Sequence, residues 1–133
     1  MGTQLHATVG QVSATTSEAR ARTHTCLVDR PEPKGGSDRG PMGGELMLMG
    51  IGGCFMSNLI AAVRECGLEV SDLSVDVSAT LEASPPRLSD IALLVHGFTT
   101  NRELLRELVA RAEAACVSVN TAKSATEVTV RLA

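Results

Sequence analysis

The chain has almost no aromatic side chains: two Phe, no Tyr and no Trp among 133 residues. Recognition that stacks bases on rings therefore has little to work with. A basic patch is also missing. The net charge is −3 and the Lys and Arg residues are scattered, which argues against a nucleic-acid surface. The four cysteines, Cys26, Cys54, Cys66 and Cys116, form no CxxC pair, and the three histidines are dispersed. No zinc-site spacing is present, so no metal or cofactor is expected. No secretory segment is read at the start, so a cytoplasmic protein with reduced thiols is expected. The length fits one domain, 1–133, with enough chain to bury a core.

What the chain does have is one very apolar stretch, ELMLMGIGGCFMSNLIAAVRECG, from Glu45 to Gly67. Between Leu46 and Val63 its only polar side chains are Ser57 and Asn58. That length makes it a marginal transmembrane candidate, but the Ser-Asn pair and the single span weigh against insertion. The favoured reading is a helix buried on nearly every side. Gly50, Gly52 and Gly53 each cost about 1 kcal/mol of helix propensity against Ala. Close backbone contact with another helix would offset that cost. The chain has few other elements to supply one, so a second subunit is the expected partner.

The remaining elements read as cover. Residues 5–13 form a weak strand and 14–19 a Ser/Thr turn. Ala21–Asp29 is read as a second strand, with Arg20, Arg22, His24 and Cys26 on one face by alternation. That face is either a functional cluster or a solvated edge. Residues 30–44, RPEPKGGSDRGPMGG, form a loop rich in Pro and Gly. Gly67 is a natural helix stop. Leu73, Val75, Val77, Ala79 and Leu81 alternate with polar residues, the cleanest strand in the chain. Residues 88–99 are apolar on both faces and read as a central strand. Thr100 and Glu103 suggest a capping box for a helix whose stripe is Leu104, Leu105, Leu108, Val109, Ala112 and Ala115, closed by Cys116. Residues 118–123 read as a turn, and Val128, Val130 and Leu132 as a last strand. The order is ββαββαβ, an α+β fold whose sheet is covered by one hydrophobic and one amphipathic helix.

Two segments together resemble a known family. GPMGGELMLMGIGGC, followed later by AACVSVNT, is similar to the OsmC/Ohr superfamily, and HTCLVD with the glycines after it resembles its OsmC-like, YhfA-like branch. The likeness runs from about His24 to the C-terminus. It implies an intertwined homodimer with the two long helices packed at its centre. It also implies a thiol peroxidase that reduces organic hydroperoxides, with a dithiol, lipoyl-type reductant closing the cycle. By this match Cys54 attacks the peroxide and Cys116 resolves the product. Cys66 lies about 18 Å from Cys54 along a helix rising 1.5 Å per residue, too far for a disulfide. The spacing alone leaves Cys116 and Cys26 as partners.

A thiolate buried mid-helix needs help, because burial disfavours the charged form. In the peroxidases the help is an arginine from an early strand, steered by a glutamate at the start of the cysteine helix. Arg22, or else Arg20, matches the arginine, and Asp29 is another acid that could orient it. The matching glutamate position holds Gly44; Glu45 stands one residue later, nine before Cys54. At about 100° per residue, a regular helix points Glu45 away from Cys54. Glu45 is therefore read either as catalytic or as a first-turn acid favoured by the helix dipole. Two functions follow: a cysteine-based hydroperoxide reductase, or a non-peroxidatic dimer binding a small apolar or thiol-bearing ligand beside Cys54.

Overall fold

A computed structural model describes residues 2–133. Its elements are β1 (Thr8–Gln11), β2 (Ser17–Ala21), β3 (His24–Val28), a 3-10 turn (Glu32–Lys34), α1 (Gly43–Cys66), β4 (Ser71–Ala83), β5 (Pro86–Phe98), α2 (Arg102–Ala115) and α3 (Val117–Lys123). They form two compact units, one ending at Met47 and one spanning Leu48–Ala133, with the boundary inside α1. The architecture is α+β, as expected, but its order departs from ββαββαβ at both ends.

The first unit holds an antiparallel sheet ordered β1-β2-β3. The sequence reading ran one strand through Ala21–Asp29. Instead the chain reverses between Ala21 and His24, and Arg22 takes a left-handed backbone with φ 56° to allow it. The register pairs Ala21 with His24, Arg20 with Thr25, and Ala19 with Cys26. Residues opposite one another share a face. Arg20 therefore lies on the other face from His24 and Cys26, and the four-residue cluster read by alternation does not form. Arg22 belongs to the turn.

Beyond β3, the buried carboxylate of Asp29 (4% exposed) organises the loop. It accepts hydrogen bonds from Thr16 Oγ1 at 2.9 Å and from the N–H groups of Arg30 (2.7 Å), Ser37 (3.3 Å) and Arg39 (3.3 Å). Burial pushes its pKa up, but the bonds from Thr16, Arg30, Arg39 and Ser37 outweigh that and hold it below the ordinary 3.8. Asp29 is thus committed to its own loop rather than to orienting an arginine.

In the second unit, α1 buries Ile51, Gly52, Phe55, Leu59, Ala62 and Val63. These positions recur three and four residues apart, one stripe of a helix. They pack with Leu108 and Ala112 of α2, Cys116 and Val119 into one core. Leu59 and Leu108 are fully buried, each contributing roughly 1.5–3 kcal/mol. Gly52 faces β4 so closely that a Cβ there would sit 2.8 Å from Val77 Cγ2. Gly67 ends the helix at φ 66°, the left-handed region glycine enters without a Cβ clash.

Within the single chain, α1 is buried along one stripe only. Met47, Met49 and Ile60 stay exposed, and nothing lies within 4 Å of a Cβ built on Gly50 or Gly53. By length and composition α1 could cross a membrane. Its buried stripe is that of a core helix.

β4 and β5 pair antiparallel, Val75 opposite Val95 and Val77 opposite Leu93. The alternation read for β4 holds up to a register shift between Ser78 and Thr80, after which Leu81 is exposed. β5 is not central: it is one of two strands, and Leu94 and Phe98 on its outer face are 61% and 71% exposed. Asn101, not Thr100, caps α2, its side chain accepting the N–H of Leu104 at 3.1 Å. Glu103 instead pairs with Arg106 at 2.8 Å. The segment read as a turn after Cys116 is α3. The last expected strand does not form; Val128, Val130 and Leu132 are exposed and unpaired with any strand.

Candidate active site

Cys54 sits in the middle of α1, half-buried on the flank of the apolar stripe, against the core. Its own helix offers its thiol no free N–H group, since mid-helix donors are spent on the turn before. The donors come from the junction of α2 and α3. There Cys116 is at once the residue that closes α2 and the one that opens α3, with an extended backbone (φ −80°, ψ 112°). One extended residue breaks the helical ladder, so the first N–H groups of α3 have no intrahelical acceptor.

Those groups serve Cys54. The Ser118 N–H holds its thiol pKa below the ordinary 9.0 most strongly, followed by the Ser118 hydroxyl. Burial works the other way, and the Cys116 thiol and Val117 N–H add smaller depressions. Hydrogen bonds to the charged form favour it, and here they outweigh desolvation. Ser118 is the residue that the sequence reading missed. Its only trace was the Val-Ser pair directly after Cys116, taken there as a turn.

Cys116 is fully buried, packed among Leu108, Ala112 and Val119. Its Sγ lies 3.3 Å from Ser118 Oγ. Cys54 packs against the same core that holds Cys116. Cys26 belongs to β3 in the first unit and is exposed. All four cysteines are free thiols. Cys66 ends α1, exposed, with Arg111 Nη1 at 3.6 Å from its sulfur and Glu65 at 3.8 Å from the same guanidinium.

The other two expected site residues lie in the first unit. Glu45 Oε1 accepts the N–H of Met42 at 2.9 Å, tying off the start of α1. This is the first-turn role, where an acid also meets the positive end of the helix dipole. Arg22 occupies the β2–β3 turn.

What this arrangement can do is redox chemistry on sulfur. One thiol is half-buried with its pKa lowered from the ordinary value; a second is buried in the core it packs against, with a hydroxyl 3.3 Å from that second sulfur.

Comparison with known proteins bears on the fold and the family. No curated protein matches the chain. The family profile described as OsmC-like protein matches residues 35–131. An OsmC-like protein from Mycoplasma pneumoniae superposes with a TM-score of 0.79 at 17% identity, covering 92% of this chain and 89% of that one. An organic hydroperoxide resistance protein from Elizabethkingia anophelis gives 0.68 at 17% identity, covering 92% and 90%. An organic hydroperoxide resistance protein from Legionella pneumophila gives 0.59 at 20% identity, covering 90% and 88%. These likenesses share the fold, and the profile spans most of the chain, including both Cys54 and Cys116: the protein belongs to the OsmC-like family.

Proposed function

We propose that the protein is a thiol-dependent peroxidase that reduces organic hydroperoxides. The observation that carries this is the donor set at the α2–α3 junction, which lowers the pKa of a half-buried Cys54 beside the buried thiol of Cys116. A peroxidatic cysteine needs a thiolate near neutral pH and a second thiol within reach. The apolar core against which Cys54 packs, Phe55 among it, suits a hydroperoxide with a hydrocarbon body.

In the first step the Cys54 thiolate attacks the terminal peroxide oxygen. The O–O bond breaks, sulfur is oxidised to sulfenic acid, and the alcohol leaves with a proton. In the second step Cys116 attacks the sulfenic sulfur, the S–S bond forms and water departs. A dithiol then reopens the disulfide by exchange. Arg22, the cation that the family resemblance asks for, is proposed to assist the first step. The working unit is a homodimer in which a second copy covers the open, glycine-bearing face of α1. Reduced thiols fit a cytoplasmic setting.

The test is turnover of cumene hydroperoxide with dihydrolipoamide as reductant. Cys54→Ser is expected to abolish it. Cys116→Ser is expected to allow one turnover and leave a sulfenic acid that dimedone traps. Full activity in both variants would remove the pair from the mechanism. One observation favours the second reading, a dimer that binds an apolar or thiol-bearing ligand beside Cys54. Glu45 is engaged at the start of its own helix and not free to steer an arginine. A wild-type Cys54 that resists alkylation below pH 9 would favour it.

A further inference from the structure

The resolving step has a proton problem. Cys116 reacts as a thiolate, yet it is fully buried among apolar side chains, where ionisation is disfavoured. Solvent does not reach it to take the proton. Its sulfur lies 3.3 Å from the Ser118 hydroxyl. Ser118 itself is half-buried, and its hydroxyl is also among the donors that lower the Cys54 pKa, so one hydroxyl serves both the nucleophile and the centre it attacks.

We propose that Ser118 is a catalytic residue of disulfide formation, relaying the Cys116 proton to the hydroxyl that leaves Cys54. The inference rests on the peroxidase reading above and deepens it. Cys54 carries a sulfenic acid after the peroxide has gone. Cys116 sulfur attacks the Cys54 sulfur while its proton passes to Ser118 Oγ. Ser118 gives its own hydroxyl proton to the departing oxygen. The S–O bond breaks, the S–S bond forms, one water leaves, and Ser118 ends as it began. No oxidant enters beyond the hydroperoxide already consumed. A hydroxyl suits this task because it accepts and donates at once and rotates freely. The residue must follow Cys116 closely, and the extended backbone of Cys116 leaves the Ser118 hydroxyl 3.3 Å from its sulfur.

The experiment is a single turnover. Full-length reduced protein receives one equivalent of cumene hydroperoxide, is quenched with dimedone at intervals, and is read by mass spectrometry. In wild type the Cys54–Cys116 disulfide forms with little trapped sulfenic acid. In Ser118→Ala the disulfide is expected to form roughly a hundredfold more slowly, the scale of a lost general acid–base group, with sulfenic acid accumulating on Cys54. Ser118→Thr, which keeps the hydroxyl, is expected to restore the rate. A merely structural Ser118 would not produce the second signature: a solvent deuterium isotope effect on disulfide formation in wild type that vanishes in Ser118→Ala. Disulfide formation in Ser118→Ala at the wild-type rate overturns the relay and leaves the peroxidase reading standing. So does the absence of an isotope effect in wild type, a result that needs no variant to fold. A wild type that forms neither sulfenic acid nor disulfide overturns the peroxidase reading first, and the relay with it.

Discussion

The open face of α1 makes a prediction whose sign depends on whether a second copy covers it. Gly52 and Gly53 are neighbours in sequence with opposite surroundings. A Cβ on Gly52 would lie 2.8 Å from Val77 Cγ2 and 3.7 Å from Val75 Cγ1, whereas a Cβ on Gly53 meets nothing within 4 Å among the described residues beyond its own turns of helix. Gly52→Ala gains about 1 kcal/mol of helix propensity. It then pushes on a β-branched side chain that has few rotamers to retreat into, at a cost of about 1–3 kcal/mol. The net is a loss of up to about 2 kcal/mol, several degrees in Tm, with no change in association. Gly53→Leu in a lone chain would be neutral or slightly stabilising, since Leu favours helix over Gly. In a dimer packed on this face it overfills a close contact, costing about 1–3 kcal/mol. That weakens Kd by about 5- to 150-fold at 1.4 kcal/mol per tenfold. Thermal denaturation of Gly52→Ala reads the first number, and sedimentation equilibrium of wild type, Gly52→Ala and Gly53→Leu over nanomolar to micromolar concentrations reads the second. A wild type that is monomeric at micromolar concentration refutes the reasoning. So does a Gly53→Leu dimer with unchanged Kd.

Three further outcomes are expected. Arg22→Met is expected to slow Cys54 alkylation at pH 7 much more than at pH 10, where the thiolate forms unaided; an unchanged profile, read by mass spectrometry, leaves Ser118 and the backbone as the only activators. Asn101→Ala removes the α2 cap bonded to Leu104 N at 3.1 Å and is expected to cost about 1 kcal/mol in urea denaturation, while Thr100→Ala costs little. Asp29 has a folded pKa below 3.8, so its stabilising effect is fully present above that value and is lost as pH falls through the lowered one. Acid titration followed by amide exchange of residues 30–39 is therefore expected to show loop opening only below pH 3.8 in wild type, and an already open loop at neutral pH in Asp29→Ala.

Patterns that repeat locally were legible in the chain itself. The apolar run gave α1 and its stop at Gly67, because a helix needs only its own neighbours and a left-handed residue to end it. Alternation gave β4, and the paired motifs around Cys54 and Cys116 gave the family. Reversals were not legible. The turn at Arg22 carries no Gly, Pro or Asn, so nothing local announced that β2 and β3 are separate or that Arg20 and His24 face opposite ways. Asn101 displaced Thr100 as cap because its side chain met the Leu104 N–H, a choice of geometry between two acceptable residues. Spacing could exclude Cys66 as a partner for Cys54 but could not choose between Cys116 and Cys26, since that depends on how α2 returns across α1. The source of thiolate stabilisation was also a tertiary matter. Sequence places Cys54 mid-helix, where its own backbone has no donor to spare. Only the folded chain brings the start of a different helix, and Ser118 with it, up against that sulfur.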